Sequence, residues 1–262
     1  MNNGRLTDGG GVPQAPHPHP PARAVTLRAV KADIVLGAQL VSRHRAPRLA
    51  AILVLVLLAA ATSQNPAPGP ARAPLAVVAA GVLAVVSASR LFAPGGALAA
   101  HRAAAAPWWI TPVGRLTGAL LLVHPLALAG AALLVLPGAS LEYLVRVSAG
   151  LVLYGTAVAV GTAALTPILG SSPAAVVGLL TAWLGVVPPS GLVALVGEWP
   201  AVARPLGWAW NILPLPWRVI RWVGRQGPED PSVLLAWIAV GLTALAWSAE
   251  RFFRAETRAV ST

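Results

Sequence analysis

Cysteine is absent from this chain of 262 residues, and charged residues make up only 10% of it. Without cysteine the chain can form no disulfide, thiolate nucleophile or zinc–sulfur site. Soluble domains carry about 25% charged residues because their surface faces water. The scarcity of charge therefore excludes a water-soluble domain as the main part of the chain.

Acidic residues are fewer than basic residues: there are 8 Asp and Glu against 19 Lys and Arg, which gives a net charge of +11. A basic chain attracts polyanions, but these cations stand between hydrophobic runs, where membrane topology explains them better. No nucleic-acid partner is expected. With 56% hydrophobic residues and a mean hydropathy of +0.71, the composition predicts an all-α integral membrane protein with about six transmembrane helices.

Ionisable residues are missing from the interiors of the predicted spans, apart from His124. Ion-coupled transporters need such groups in the membrane, and phosphotransferases need clustered acids for Mg²⁺. No G-x-x-x-x-G-K-[ST] loop for ATP occurs. His124 precedes Pro125, so a structural role at a helix break is favoured over proton transfer. We therefore expect no catalytic residue, no cofactor bound by this chain, and energy for any transport from another chain.

Turn signals and hydrophobic periodicity divide the chain into three parts. Residues 1–23 are rich in Pro, Gly and His and are predicted to form a disordered tail. Residues 24–254 are predicted to form a six-span domain, and residues 255–262 a cytoplasmic tail. A metal site at His17 and His19 is disfavoured because two flexible histidines bind metal poorly. The six predicted spans are 47–63, 74–92, 116–136, 147–169, 174–187 and 232–248.

The segment before the first span predicts an amphipathic helix lying on the membrane surface. Arg28, Lys31 and Asp33 fall outside its apolar stripe. The stripe consists of Val25, Leu27, Val30, Ile34, Leu36 and Leu40.

Lys and Arg also predict the orientation, because cytoplasmic segments are enriched in them. With the N-terminus inside, 13 of the 19 lie in cytoplasmic segments. We therefore expect a multi-pass protein of the bacterial inner (plasma) membrane with both termini in the cytoplasm.

The segment between the fifth and sixth spans is too apolar for an ordinary aqueous loop. Its tryptophans favour the headgroup layer, and its two prolines break the fifth helix. It predicts re-entrant or interfacial helices, covered at depth by a second subunit. The residues singled out here are Pro188, Pro189, Trp199, Trp208, Trp210, Trp217 and Trp222.

The segment between the second and third spans predicts a short cytoplasmic helix, because GALAAHRAAAA is Ala-rich and is followed by Pro107. Such a helix under the membrane is suited to contact a soluble motor domain. An interfacial connector with no partner is the alternative. The candidate coupling residues are Ala97, Leu98, His101, Arg102, Pro112, Val113 and Arg115.

These features together resemble the permease subunit of type-2 ABC exporters over roughly residues 24–254. WWITPVGRLTGALLL is similar to the family's stretch after the coupling helix, with Pro112, Val113, Gly114 and Arg115 matching best. WAWNILPLPWRV, from Trp208 to Val219, is similar to the segment that precedes the family's sixth span.

The resemblance implies a permease that pairs with a second permease chain, most simply as a homodimer. Two copies of a separate ATP-binding subunit would hold ATP and Mg²⁺ and push on residues 95–107. The expected cargo is hydrophobic or amphipathic, moved out of the cytoplasm or inner leaflet. The alternatives are a haem-exporter-like permease, a membrane anchor or scaffold without transport, and, least favoured, a membrane enzyme.

Overall fold

The computed structural model describes residues 22–64, 72–92, 110–135, 139–196, 200–213, 215–223 and 231–260. Within these ranges the regular structure is α-helical and contains no strand. The helices are α1 (Ala22–Arg43), α2 (Arg45–Gln64), α3 (Ala73–Ala88), α4 (Ile110–Val135), α5 (Leu141–Leu169), α6 (Ser171–Leu184), α7 (Pro189–Val196), α8 (Pro200–Ile212), α9 (Pro216–Val223) and α10 (Ser232–Val260).

Two stretches are long and apolar enough to cross a membrane, Ile110–Ala132 in α4 and the whole of α5. Shorter apolar helices are Ala73–Ala88, Ser171–Leu184 and Ser232–Ser248. The all-helical prediction is thus confirmed for the described residues, together with helices of membrane-spanning length.

Large apolar side chains cover the outer faces of several helices. Leu53 in α2 is 59% exposed, Leu121 in α4 is 59% exposed, and Trp183 in α6 is 71% exposed. Exposed apolar surface of this extent is unfavourable in water but is the normal surface of a helix in lipid. The outer surface therefore agrees with the composition in favouring a membrane environment.

Helix α3 lies at the centre of the bundle and packs against α2, α4, α5, α6 and α9. A Cβ atom on Gly81 would lie 2.8 Å from Tyr154 Oη in α5, and one on Gly178 in α6 would lie 2.8 Å from Val85 and 2.9 Å from Thr162. The contacts therefore advance in the same direction along α3 and α5. Helix α6 is antiparallel to both, since Ala182 lies beside Gly81 and the earlier Gly178 lies beside Val85.

The connection between α5 and α6 is one residue, Gly170, with a φ of 88°. This left-handed conformation is available to glycine at little cost. The sequence predicts a tight loop over residues 170–173, but the structure places Pro173 inside the first turn of α6, where its missing N–H costs no hydrogen bond.

Helices α1 and α4 approach each other backbone to backbone, and their contact is the most extensive between any two described helices. A Cβ atom on Gly37 would collide with the carbonyl of Arg115, and one on Gly118 with the carbonyl of Ile34. A Cβ atom on Gly114 would lie 2.6 Å from that of Asp33. Small residues four apart permit this kind of close crossing.

The buried face of α1 differs from the predicted apolar stripe. Among the residues of α1 whose burial the structure describes (27–43), the buried ones are Asp33, Gly37 and Val41, spaced four apart, whereas Leu27 is 71% exposed. The reason is geometric, since glycine-mediated backbone contact with α4 selects the face that α1 turns inward.

Replacing Gly118 by leucine is expected to lower stability by at least about 2 kcal/mol, because the side chain has no space and the helices must separate. The midpoint of thermal unfolding in detergent, followed by circular dichroism, measures the effect. Thr117→Leu is the matched control, since Thr117 is the exposed neighbour of Gly118 and should tolerate the change. Equal midpoints for the two variants would contradict the close crossing.

Candidate functional site: a buried arginine between three helices

A buried ion pair lies where α1 crosses α4. Arg115 Nε is 3.9 Å from Asp33 Oδ1, and the two side chains are 4% and 2% exposed. Asp33 comes from the middle of α1 and Arg115 from the second turn of α4. Their burial follows from the close backbone crossing, because Gly114 brings α4 directly against Asp33.

Arg115 also contacts the end of α3. Its Nη1 donates a hydrogen bond of 3.1 Å to the backbone carbonyl oxygen of Leu91. Leu91 is fully buried and lies just past the last residue of α3. One guanidinium therefore connects three helices, and we call Asp33, Leu91 and Arg115 the arginine junction.

The arginine junction joins the two ends of one chain segment. Leu91 lies two residues before residues 93–109, and Arg115 lies six residues after them. That segment contains the predicted cytoplasmic helix. The end of α3 and the start of α4, which flank this segment in the sequence, are therefore bound to each other and to α1.

The hydrogen bonding of Arg115 is incomplete. In the described part of the chain, Nε and Nη2 of Arg115 are buried without a hydrogen bond, and so is Thr111 Oγ1 one turn earlier on α4. Removing one member of a buried pair leaves the other charge uncompensated. The junction is for that reason sensitive to any change that separates its helices.

The predicted coupling residues lie in two groups. Arg115 is in the junction, Pro112 is buried in the first turn of α4, and Val113 is 39% exposed beside it. Ala97, Leu98, His101 and Arg102 lie outside the described residues.

Asp33 is the charged residue of the arginine junction that the sequence analysis missed, because it was assigned to the polar face of a surface helix. The signal that could have found it is the pair Gly114 and Gly118, spaced four apart in an apolar helix. Such a pair is typical of a close helix crossing. A close crossing at this point requires a small residue on the partner helix, and in α1 that residue is Gly37.

The tryptophan-rich segment forms the three short helices α7, α8 and α9. Trp208 is 71% exposed, whereas Trp217 is 3% exposed. Trp210 is partly buried and donates a 2.9 Å hydrogen bond from Nε1 to the carbonyl oxygen of Val187. Pro188 precedes α7 and Pro189 begins it; Trp199 lies outside the described residues.

Helix α9 packs on α3 and α5, so it is part of the bundle rather than a separate surface helix. The backbone N–H of Trp217 donates a 3.0 Å hydrogen bond to the carbonyl oxygen of Gly185, at the end of α6. A Cβ atom on Gly150 in α5 would lie 2.8 Å from Val219 and 3.3 Å from Trp222. These contacts place α9 toward the beginning of α3, at the opposite end of the bundle from the arginine junction.

His124 forms the polar contact between α4 and α5. Its Nε2 lies 3.1 Å from Thr156 Oγ1, and the two residues stand near the middle of Ile110–Ala132 and Leu141–Leu169. A hydrogen bond between helices in lipid is worth about 0.6 kcal/mol. No three His, Asp or Glu side chains in the described ranges come together as a metal site requires.

A double-mutant cycle tests the junction. Asp33→Asn and Arg115→Met are each expected to lower the free energy of unfolding by about 3–5 kcal/mol, because each removes one member of a buried ion pair. The double variant should lose clearly less stability than the two single losses added together. Unfolding midpoints in detergent provide the measurement.

Glu142 and Arg146 supply the control cycle, since this pair has the same 3.9 Å separation but its side chains are 67% and 20% exposed. Its coupling should be at most about 0.5 kcal/mol because water screens it. Additive losses at Asp33 and Arg115 would show that the two charges do not depend on each other.

Comparison of the chain with models of protein families, with curated proteins and with solved structures finds no match.

Proposed function

We propose that this chain is the transmembrane permease subunit of an ATP-driven exporter of the ABC type, powered by a separate ATP-binding subunit. The observation that carries the proposal is the arginine junction. It binds together the described parts of the chain before and after residues 93–109, the segment on which a motor subunit would push.

The junction is suited to transmit such a push. A force on residues 93–109 reaches α3 through Leu91, α4 through Arg115 and α1 through Asp33. Energetic coupling over distance requires rigid elements that move together, and three helices bound at one buried point meet that requirement. A loop attached to a single helix end would bend instead.

The six proposed spans are α2, α3, α4, α5, α6 and the first part of α10, in the inner membrane with both termini inside. The common direction of α3 and α5, with α6 opposed to them, agrees with alternating spans. Helices α7 to α9 lie near the opposite end of α3 from the junction. That position supports an outer location for them and a cytoplasmic location for the junction.

The cargo is proposed to be hydrophobic or amphipathic, because the described core is apolar apart from a few hydroxyls and the junction. Two copies of the permease would enclose the path, and two ATP-binding subunits would bind ATP and Mg²⁺. A haem-exporter-like permease is the second candidate within transport, and an anchor without transport is the candidate outside it. Transport of a strongly charged sugar polymer would contradict the proposed cargo class.

Affinity purification of the tagged chain from its native cells, in mild detergent, tests the proposal. A stoichiometric ATP-binding subunit should co-elute and be identified by mass spectrometry. Replacing residues 97–106 by a Gly-Ser linker should abolish co-elution while the permease still folds. Replacing residues 65–70, which connect α2 to α3, in the same manner is the control and should leave co-elution intact.

A chain that purifies alone from cells expressing its genomic neighbours would contradict the exporter and favour the anchor. Co-elution that survives the linker at 97–106 would contradict the docking segment alone. Folding of each variant is checked by size-exclusion chromatography.

The absence of cysteine permits a test of the six-span topology with single cysteines. Ser172, at the α5–α6 corner, and Arg204, in α8, are both exposed. In intact cells, Arg204→Cys should react with a membrane-impermeant maleimide, and Ser172→Cys should react only after permeabilisation. Labelling of both from outside would contradict the proposed topology.

A further inference from the structure

A shallow cavity lies along one face of α4, around the middle of its membrane-spanning stretch. Leu121 stands at the midpoint of Ile110–Ala132, the part of α4 that is long enough to cross a membrane. The volume of the cavity is ≈ 280 Å³, and a dry apolar cavity of about 150 Å³ already holds benzene. The described residues that line it include no Asp, Glu, Lys or Arg: they are Thr117, Leu120, Leu121, His124, Pro125 and Leu128.

Pro125 leaves a backbone acceptor at this cavity without its usual helical donor. Helix α4 continues through Pro125, but proline has no N–H, so the carbonyl oxygen of Leu121 lacks the hydrogen bond from four residues further on. The proline ring also crowds that carbonyl and pushes it away from the helix axis. Because both residues line the cavity, the carbonyl oxygen of Leu121 lies at its wall.

The hydroxyl of Thr117, which also lines the cavity, does not replace the missing donor. Its Oγ1 donates a hydrogen bond of 2.8 Å to the backbone carbonyl oxygen of Val113, and a threonine hydroxyl has one proton to donate. In the hydrocarbon of a membrane there is no bulk water to take its place, and a polar backbone group without a partner is strongly unfavourable. A molecule that brings a hydroxyl of its own would therefore gain a hydrogen bond at Leu121.

His124 gives the cavity a flat wall of fixed orientation. Its Nε2 lies 3.1 Å from Thr156 Oγ1 in α5. The neighbouring ring edge lies against Gly155, where a Cβ atom would be 3.3 Å from Cε1 and 3.6 Å from Nδ1. Contact with α5 thus holds the imidazole in one position, three residues from the carbonyl of Leu121. An aromatic ligand would pack favourably against this ring.

We propose that this cavity binds a neutral hydrophobic molecule with a single hydroxyl, of the alkylphenol class. Its O–H donates to the carbonyl oxygen of Leu121, and its apolar part lies along Leu120 and Leu128. A charged ligand does not fit, because the described lining offers no opposite charge in the middle of the membrane. A plain hydrocarbon chain would fill the volume but leave the carbonyl without a donor. The site requires only that α4 crosses a membrane, so it holds whether or not the chain is an exporter.

Photolabelling of the full chain in nonionic detergent tests the site. The probe is 4-butylphenol with a diazirine in its alkyl chain, and mass spectrometry identifies the labelled residues. Labels should fall on residues 117–128 of α4. Unlabelled 4-butylphenol should displace the probe at a concentration about fivefold lower than 4-butylanisole, its methyl ether, because the ether has the same apolar body but lacks the donor of one neutral hydrogen bond.

Variants separate the hydrogen bond from the volume. Pro125→Ala returns an N–H to the carbonyl of Leu121, so the phenol and its methyl ether should then displace the probe equally; alanine is favourable inside a helix. Leu121→Trp fills the cavity from a side chain that is 59% exposed and should abolish labelling. Leu122→Trp is the matched control on the adjacent residue, which is 41% exposed and does not line this cavity, so labelling should persist. Size-exclusion chromatography checks the folding of each variant.

Equal displacement by the phenol and its methyl ether in the unchanged chain would overturn the proposal, because the carbonyl would then need no donor from a ligand. Labels spread over other helices would also overturn it, as would equal labelling of Leu121→Trp and Leu122→Trp. A fivefold difference that persists in Pro125→Ala would contradict the carbonyl of Leu121 as the acceptor.

Discussion

Arg115 carries a charge into a place that excludes solvent, and it can lie there because α1 and α4 touch backbone to backbone. Gly37, Gly114 and Gly118 permit that approach, and the approach brings Asp33 against the guanidinium. The remaining hydrogen bond, to Leu91, attaches the end of α3 to the same point. A larger residue at any of the three glycines would separate the charges and release all three helices. The arrangement of α1, the end of α3 and the start of α4 thus depends on glycine at these three positions.

The two ends of the bundle are built on different principles. At the junction end, a buried charge pair binds helix ends that are far apart in sequence. At the other end, α9 fills the space between α3, α5 and α6 with Trp217 and Val219, and a backbone hydrogen bond to Gly185 secures it.

Hydrophobic periodicity was sufficient to predict the helices, because apolar runs separated by proline and glycine leave few alternatives. It was insufficient to predict which face of α1 is buried. Leu27 belongs to the apolar stripe yet is exposed, and Asp33 lies on the polar side yet is buried. The apolar stripe indicates which face of an isolated helix prefers lipid to water. The buried face of α1 is instead set by its contact with α4, and that contact depends on the residues of both helices. Trp217 illustrates the same limit, since tryptophan is predicted for the headgroup layer but here fills a gap between helices.

The most direct test of the account is a cryo-electron microscopy structure of the complex purified from native membranes in mild detergent. The account predicts two copies of this chain, with a soluble ATP-binding subunit seated against residues 93–109 of each and Arg115 in contact with both Asp33 and Leu91. A particle in which that end of the bundle faces open solvent with no such subunit would contradict it.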